Sequence, residues 1–303
     1  MAIGRPEVYN ERAGRKKGVG SCSRNVSRHL NAVAEIQCQG GYTMKIVRFL
    51  RDGRTQYGVV EENRIYPYEG DPFNGLTRSS GAIDIATVRL LAPVSPPNII
   101  CLGLNYRRHA DEAGMPYPPE PLMFLKTTTA LCGPGDPIRL PEPFQDSIDY
   151  EAELVIVIGK VAKNVPENEV PNVVLGYTIG NDVSNRVAQF KDGQWARGKS
   201  HDTFCPLGPA IVTDLDADNL DIGCRVDGQV RQASNTSDML FSCRQIVAHL
   251  SRAMTLLPGT VILTGTPEGV GFTRKPPLFL QPGQTVECTV EGIGTLSNPV
   301  VGP

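Results

Sequence analysis

Residues 149–159, DYEAELVIVIG, carry two carboxylates, Glu151 and Glu153, at alternate positions ahead of the apolar run 154–158. In an extended strand, residues two apart point to the same face. Two carboxylates side by side repel each other unless a cation lies between them. For an arbitrary E-x-E, the exposed face of an edge strand is the commoner setting. Here a third acid, Asp182, closes the apolar run of GYTIGNDV at the end of a second predicted strand. Three carboxylates without a Cys or His partner make a hard oxygen donor set. Such a set suits Mg2+, Mn2+ or Ca2+ rather than zinc.

His109 and Glu112 in HADE form a second pair. At i and i+3 on a helical turn their side chains are neighbours. A carboxylate beside an imidazole fixes its tautomer and raises its basicity, as a general base requires. A surface His–Glu pair has the same spacing, but this one directly follows a predicted strand and the loop GLNY, where reacting groups often sit. His201, two residues beyond Lys199, is placed to face the same site, whereas His249, between Val247 and Leu250, reads as structural. Lys199 itself closes GQWARGKS, which fits G-x-x-x-x-G-K-[ST]. A phosphate-binding loop must follow a buried strand and open a helix. NRVAQFKD before it is polar and helix-like, and Pro206 and Pro209 after it forbid a long helix. No nucleotide is expected, and the lysine is left for another task.

The elements that must hold these groups are mostly strands. KIVRFL, YGVVEE and IYPY, separated at Asp52-Gly53 and Asn63-Arg64, predict a three-stranded meander beginning near Met44. A short helix is predicted over 83–91, and Pro93, Pro96 and Pro97 mark a domain boundary. Beyond it NIICLGLNY, EAELVIVIGK and VVLGYTIGNDV read as strands, and LDIGCRVDGQVRQ as a hairpin turning at Asp227-Gly228. Cys243, Ile246, Val247, Leu250 and Met254 recur at helical spacing, with a stop at Leu257-Pro258-Gly259. GTVILTGTPEG is a strand entering a Gly-rich turn, and QTVECTVEGIG alternates with Val286, Cys288 and Val290 on one face. Helices do not alternate regularly with strands. The fold class is therefore α+β, predominantly β, and not doubly wound.

Composition narrows the function. A net charge of −2 and 6% aromatic residues give neither the basic field nor the stacking surface of a nucleic-acid binder. The eight cysteines include no C-x-x-C pair, so zinc or redox motifs are not expected and the thiols read as reduced. The longest apolar run, 154–158, is far short of the ~20 residues a spanning helix needs, so no membrane partner is expected and the cytoplasm is the default location. Residues 1–43 form a basic extension, expected to be flexible. Its Arg and Ser content also resembles a transit peptide, but Glu7, Glu11 and Glu35 oppose that reading. A third reading starts the chain at Met44.

In chain order, GLNYRRHADE, FLK, DYEAELVIVIGK, GYTIGNDVSNR, GKSHDTFCPLGP, ILTGTPEGVG and EGIGTLSNPV resemble the fumarylacetoacetate hydrolase family over 96–303, as one catalytic region. The segment 44–93 is similar to the small N-terminal β domain of many bacterial members. The resemblance implies a mixed β-roll, a homodimer and one divalent metal, Mg2+ foremost, on Glu151, Glu153 and Asp182. It places the reacting groups at His109, Glu112 and Lys199 and substrate contacts at Gln189, Thr266 and Arg186. Lys126 of FLK is expected to line the site. His201 stands where the family more often has Phe, and the stretch 113–121, AGMPYPPEP, is expected to act as a lid.

The implied substrate is a small 2-oxo or 2,4-dioxo acid. The implied reaction is metal-dependent C–C hydrolysis of the acylpyruvate or fumarylpyruvate type. His109, oriented by Glu112, would activate water against C4. The C3–C4 bond would break to an enolate stabilised by the metal and Lys199. Decarboxylation of an oxaloacetate-type diacid, or isomerisation of 2-hydroxyhepta-2,4-diene-1,7-dioate, passes through the same enolate. The His109–Glu112 pair favours hydrolysis. A non-catalytic metal- or ligand-binding protein would need the acids but not the base.

Overall fold

The computed structural model describes residues 43–142 and 145–303, so the readings placed on residues 1–42 lie outside the described residues. β1 (Lys45–Arg51), β2 (Arg54–Glu61) and β3 (Arg64–Asp71) form the antiparallel meander, extended by β4 (Gly75–Arg78). At the first turn Asp52 and Gly53 take φ of 50° and 73°, the left-handed pair that a two-residue hairpin needs to match strand twist. The helix predicted over 83–91 does not form. A two-residue strand at Ile83–Asp84, a single 3-10 turn at Ile85–Thr87 and a strand at Arg89–Leu91 take its place. The Asp84 carboxylate accepts the Ala86 N–H at 2.9 Å and caps that one turn, after which pairing with β1 draws the chain into the sheet. Tertiary pairing outweighs local propensity here.

The remaining long strands are β5 (Ile99–Gly103), β6 (Leu122–Lys126), β7 (Ala152–Ile158), β8 (Val174–Asn181), β9 (Cys205–Val212), β10 (Asp221–Val226), β11 (Gln229–Asn235), β12 (Val261–Leu263), β13 (Thr285–Val290) and β14 (Gly294–Val301). The main sheet runs β4-β3-β2-β1-β9-β8-β7-β12-β5-β6, and a second sheet runs from Ile138–Arg139 through β14-β13-β10-β11. The sequence reading assigned no strand over β9, whose CPLGPAIV carries two prolines, and a proline cannot donate to a ladder. It nonetheless joins β1 at Lys45↔Val212 to β8 at Ile179↔Gly208. The missing donors show as a register irregularity on the β8 side, between Tyr177 and Ile179. Through β9 the meander continues the sheet that carries the site.

β7 is buried along its whole length. Leu154, Ile156 and Ile158 pack into the core that includes Val286, Cys288 and Val290 of the second sheet and Ile246 and Val247 of the helix at Cys243–Ala253. Val155 and Val157 enter the opposite core, with Ile46, Cys101, Cys205 and Leu263. A strand buried on both faces reads as an unbroken apolar run. Four helices matter below: α1 (Arg107–Ala113), α2 (Arg186–Asp192), α3 (Ala196–Lys199) and α4 (Cys243–Ala253). α4 opens on a capping box in which Ser242 and Gln245 exchange side-chain and backbone bonds. No described helix is long and apolar enough to cross a membrane.

Candidate active site

Strand direction gathers the reacting groups. β7 runs antiparallel to β8 and β12, and β12 is parallel to β5. The start of β7 and the ends of β5, β8 and β12 therefore share one end of the sheet. Glu151 and Glu153 lie at the first, Asp182 directly follows β8, and Thr266 follows β12. The loop after β5 leads to α1, which carries His109 and Glu112. Period two puts Glu151 and Glu153 on the face that farther along buries Val155 and Val157. Asp182 is drawn beside them by the Ala152↔Asn181 register and by its own N–H on the Glu151 carbonyl at 2.9 Å.

Oxygens of Glu151, Glu153 and Asp182, all three buried, lie within 4.8 Å of one another. Lys199 Nζ donates to Glu151 Oε2 at 2.6 Å and to Asp182 Oδ2 at 2.7 Å. Arg186 Nη2 lies 2.7 Å from Glu151 Oε1 and 2.8 Å from Asp149 Oδ2, and its Nη1 donates to Gln189 Oε1 at 3.0 Å. Among the described residues Glu153 makes no ion pair, and it accepts the Gly265 N–H at 2.7 Å. The two glutamates are accordingly pushed apart. Burial opposes the charge of Glu151, but Arg186 and Lys199 overcome it and hold the carboxyl well below the usual range. Burial raises Glu153 well above that range, and Asp182 and Glu151 add to the rise. Burial opposes the charge on Lys199, and Asp182 and Glu151 more than restore it.

His109 Nδ1 sits 2.9 Å from Glu112 Oε1, which leaves Nε2 as the nitrogen available to the cavity. Both Glu112 oxygens also accept the Gly269 N–H, at 3.1 and 3.0 Å, and Thr273 donates to Oε2 at 3.2 Å. The pair is thus tied to the turn after β12. His109, Glu151, Glu153, Arg186, Gln189, Lys199 and Thr266 line one cavity of about 130 Å3. Ala113 and Met115, from the stretch expected as a lid, line it as well.

Two residues lie elsewhere than expected. Lys126 does not line the cavity. It is buried behind Asp182, donating to Oδ1 at 2.5 Å and to the Val183 carbonyl at 3.2 Å. β6 is an edge strand and not a neighbour of β8, so this contact requires the sheet to curl. His201 is not a lining residue either: it packs on Phe204, ring centroids 4.9 Å apart, and its Nε2 lies 3.1 Å from Asn185 Nδ2, at the start of α2.

Two supporting residues escaped the sequence reading. Asp149, fully buried, accepts the Gly271 and Phe272 N–H groups at 2.7 and 3.0 Å and the Arg186 Nε–H at 2.9 Å. Its signal was present, since it extends the E-x-E by one alternate position to D-x-E-x-E. Gln232, on β11, accepts the Ala152 N–H at 2.9 Å and donates to Thr266 Oγ1 at 2.8 Å and the Pro267 carbonyl at 2.9 Å. It clamps the start of β7 to the turn after β12, and no local pattern announces it. Gln232→Ala strands these buried polar groups, each at about 1–3 kcal/mol. We expect a lower melting temperature and weaker divalent-cation binding; unchanged values for both would remove Gln232 from the site's support.

The donor set fits a divalent cation. Four buried carboxylates (Asp149, Glu151, Glu153 and Asp182) face three buried cations (Lys126, Arg186 and Lys199). The surplus negative charge falls at Glu153, whose burial without a cationic partner is otherwise costly. All the candidate ligands offer carboxylate oxygen, the donor that Mg2+, Mn2+ and Ca2+ prefer.

A curled, mainly antiparallel sheet that assembles an acid–lysine cluster and a His–Glu pair at one end defines a class of enzyme folds. Residues 98–301 match the family model Fumarylacetoacetate (FAA) hydrolase C-terminal, and residues 44–93 match Rv2993c-like, N-terminal. The chain belongs to the fumarylacetoacetate hydrolase family. It is 49% identical over 222 residues to oxaloacetate tautomerase fahd2, mitochondrial, of Xenopus laevis, covering 71% of this chain and 69% of that one. A solved 2-hydroxyhepta-2,4-diene-1,7-dioate isomerase from Mycobacterium marinum is 42% identical, with a TM-score of 0.77 over 86% of this chain and 98% of that one. The 5-carboxymethyl-2-hydroxymuconate delta-isomerase from Mycobacterium smegmatis is 45% identical, with a TM-score of 0.78 over 86% of this chain and all (100%) of that one.

Proposed function

We propose that the protein moves a proton between carbon and oxygen of a small enolisable 2-oxo acid, as a tautomerase or isomerase. One observation carries this reading: His109, backed by Glu112, lines the same cavity as Lys199, Arg186 and the acid cluster. A base facing stabilisers of negative oxygen is the minimum that enolisation needs. His109 Nε2 takes the proton from the carbon next to the 2-oxo group. Glu112 holds the ring and stabilises the imidazolium that results. Lys199 and Arg186 face the oxygen on which charge collects, and the proton returns to oxygen or to a different carbon. Glu151, Glu153 and Asp182 would hold a divalent cation, Mg2+ foremost, which when bound supplies a Lewis acid toward the substrate's oxygens. The names of the relatives support the same chemistry.

C–C hydrolysis of a 2,4-dioxo acid is the second reading, favoured by the same base because His109 would serve equally to activate water. A homodimer and the division into 44–93 and 96–303 belong to this proposal too. Loss of the enol absorbance of oxaloacetate, followed with MgCl2 present, separates the readings. Acceleration without released pyruvate supports the tautomerase. Pyruvate released from an acylpyruvate by C3–C4 scission makes hydrolysis the activity. No acceleration with any 2-oxo acid overturns both.

A further inference from the structure

The cavity has two unlike halves. Its floor is the charged cluster already described. Leu104, Ala113, Met115, Phe190, Trp195 and Phe272 form an apolar part of its wall, with no charged group among them. Phe190 is 62% exposed at the rim, an unusual place for a large apolar side chain, and meets Phe272 edge-on with centroids 5.6 Å apart. Phe272 in turn covers Arg186, whose guanidinium carbon lies 4.4 Å from the ring centroid. Trp195 sits edge-on to Phe124 at 5.3 Å, in space left by Gly103: a Cβ there would come within 2.3 Å of the indole.

Among the described residues, a second carboxylate on the substrate would meet no lining cation besides Arg186 and Lys199. The lining cations Arg186 and Lys199 are both held at the floor by Asp149, Glu151 and Asp182. Arg107, Arg108 and Arg274, which flank these segments, are not among the residues that line the cavity. Burying a carboxylate without a partner is costly, whereas apolar surface gains by leaving water. From this we infer that the substrate is a 2-oxo acid whose far end is an uncharged aromatic or branched alkyl group, not a second carboxylate. The inference rests on the reading of the site as one for 2-oxo acids.

Two inert analogues test it on the full chain with MgCl2 present. N-phenyloxamate and N-oxalylglycine share the carboxylate and adjacent carbonyl and differ at the far end. By titration calorimetry the phenyl compound should bind at least tenfold more tightly, about 1.4 kcal/mol. Phe190→Arg, at an exposed position that folding tolerates, should narrow or reverse the difference. Equal or tighter binding of N-oxalylglycine to the unaltered protein overturns the inference, and so does failure of both compounds to bind. Brisk oxaloacetate tautomerisation alongside tighter N-oxalylglycine binding overturns the inference and keeps the proposed function. Tighter phenyl binding without turnover of any 2-oxo acid does the reverse.

Discussion

Glu153→Gln should abolish divalent-cation binding while leaving the metal-free protein as stable as before, or more stable. Glu151→Gln should abolish binding and also lower the melting temperature. The two carboxylates are alternate residues on one face, yet their surroundings differ. Glu151 balances Arg186 and Lys199, so its loss leaves two buried cations short of a counter-charge. Removing one partner of a buried pair costs about 3–5 kcal/mol. At roughly 2–4 °C per kcal/mol for a chain of this size, the fall in melting temperature should be on the order of 10 °C. Glu153 accepts a backbone N–H and faces two other acids, whose effect with burial outweighs the more distant Lys199, so an amide removes a liability.

The pH dependence has a definite sign. With its native pKa raised, Glu153 keeps a proton that the unfolded chain releases above about 4.3. Metal-free stability therefore falls as pH rises from there toward the raised value. A cation must expel that proton, so the stabilisation given by MgCl2 should grow with pH. Melting curves across pH, with chelator and with MgCl2, measure both effects. Equal metal-free melting temperatures for the two variants would mean that the assigned charge distribution is wrong.

His109→Ala should slow proton transfer by about 10²–10⁴-fold and leave cation binding and melting temperature close to those of the parent. The side chain is buried but makes its polar contact with Glu112 and none with the carboxylate cluster. Glu112→Gln should cost less in rate but more in order, because one of its oxygens would no longer accept from Gly269 or Thr273. Stopped-flow rates for both variants, with calorimetric Mg2+ affinities as the control, give the comparison. Full activity in His109→Ala would place the base elsewhere.

What the sequence disclosed was whatever obeys a short period. Glu151 and Glu153 share a face because a strand repeats every two residues. His109 and Glu112 meet because a helical turn brings i to i+3, and α4 declares itself by its apolar stripe and its stop. What it concealed depends on partners distant in sequence. CPLGPAIV lacks two ladder donors at its prolines and shows no clean alternation, yet it pairs with β1 on one side and β8 on the other. Lys126 was expected to meet the substrate, and the curl of the sheet turns it against the back of Asp182. Gln232 is a buried amide whose three partners lie 34 to 80 residues away, beyond any local pattern.

The candidate metal-holding carboxylates stand at the ends of interior strands or directly behind them, where the sheet on either side fixes their positions, and His109, Arg186 and Lys199 are held against them from short helices. Met115, Phe190 and Trp195 stand on or beside the same short helices, outside the sheet, and none of them carries a charge. Substitutions there leave the ladder hydrogen bonds intact and do not disturb the balance of buried charge. If the proposed function holds, such a chain could be retuned to a new substrate by altering a few side chains at the mouth without touching the groups that move the proton.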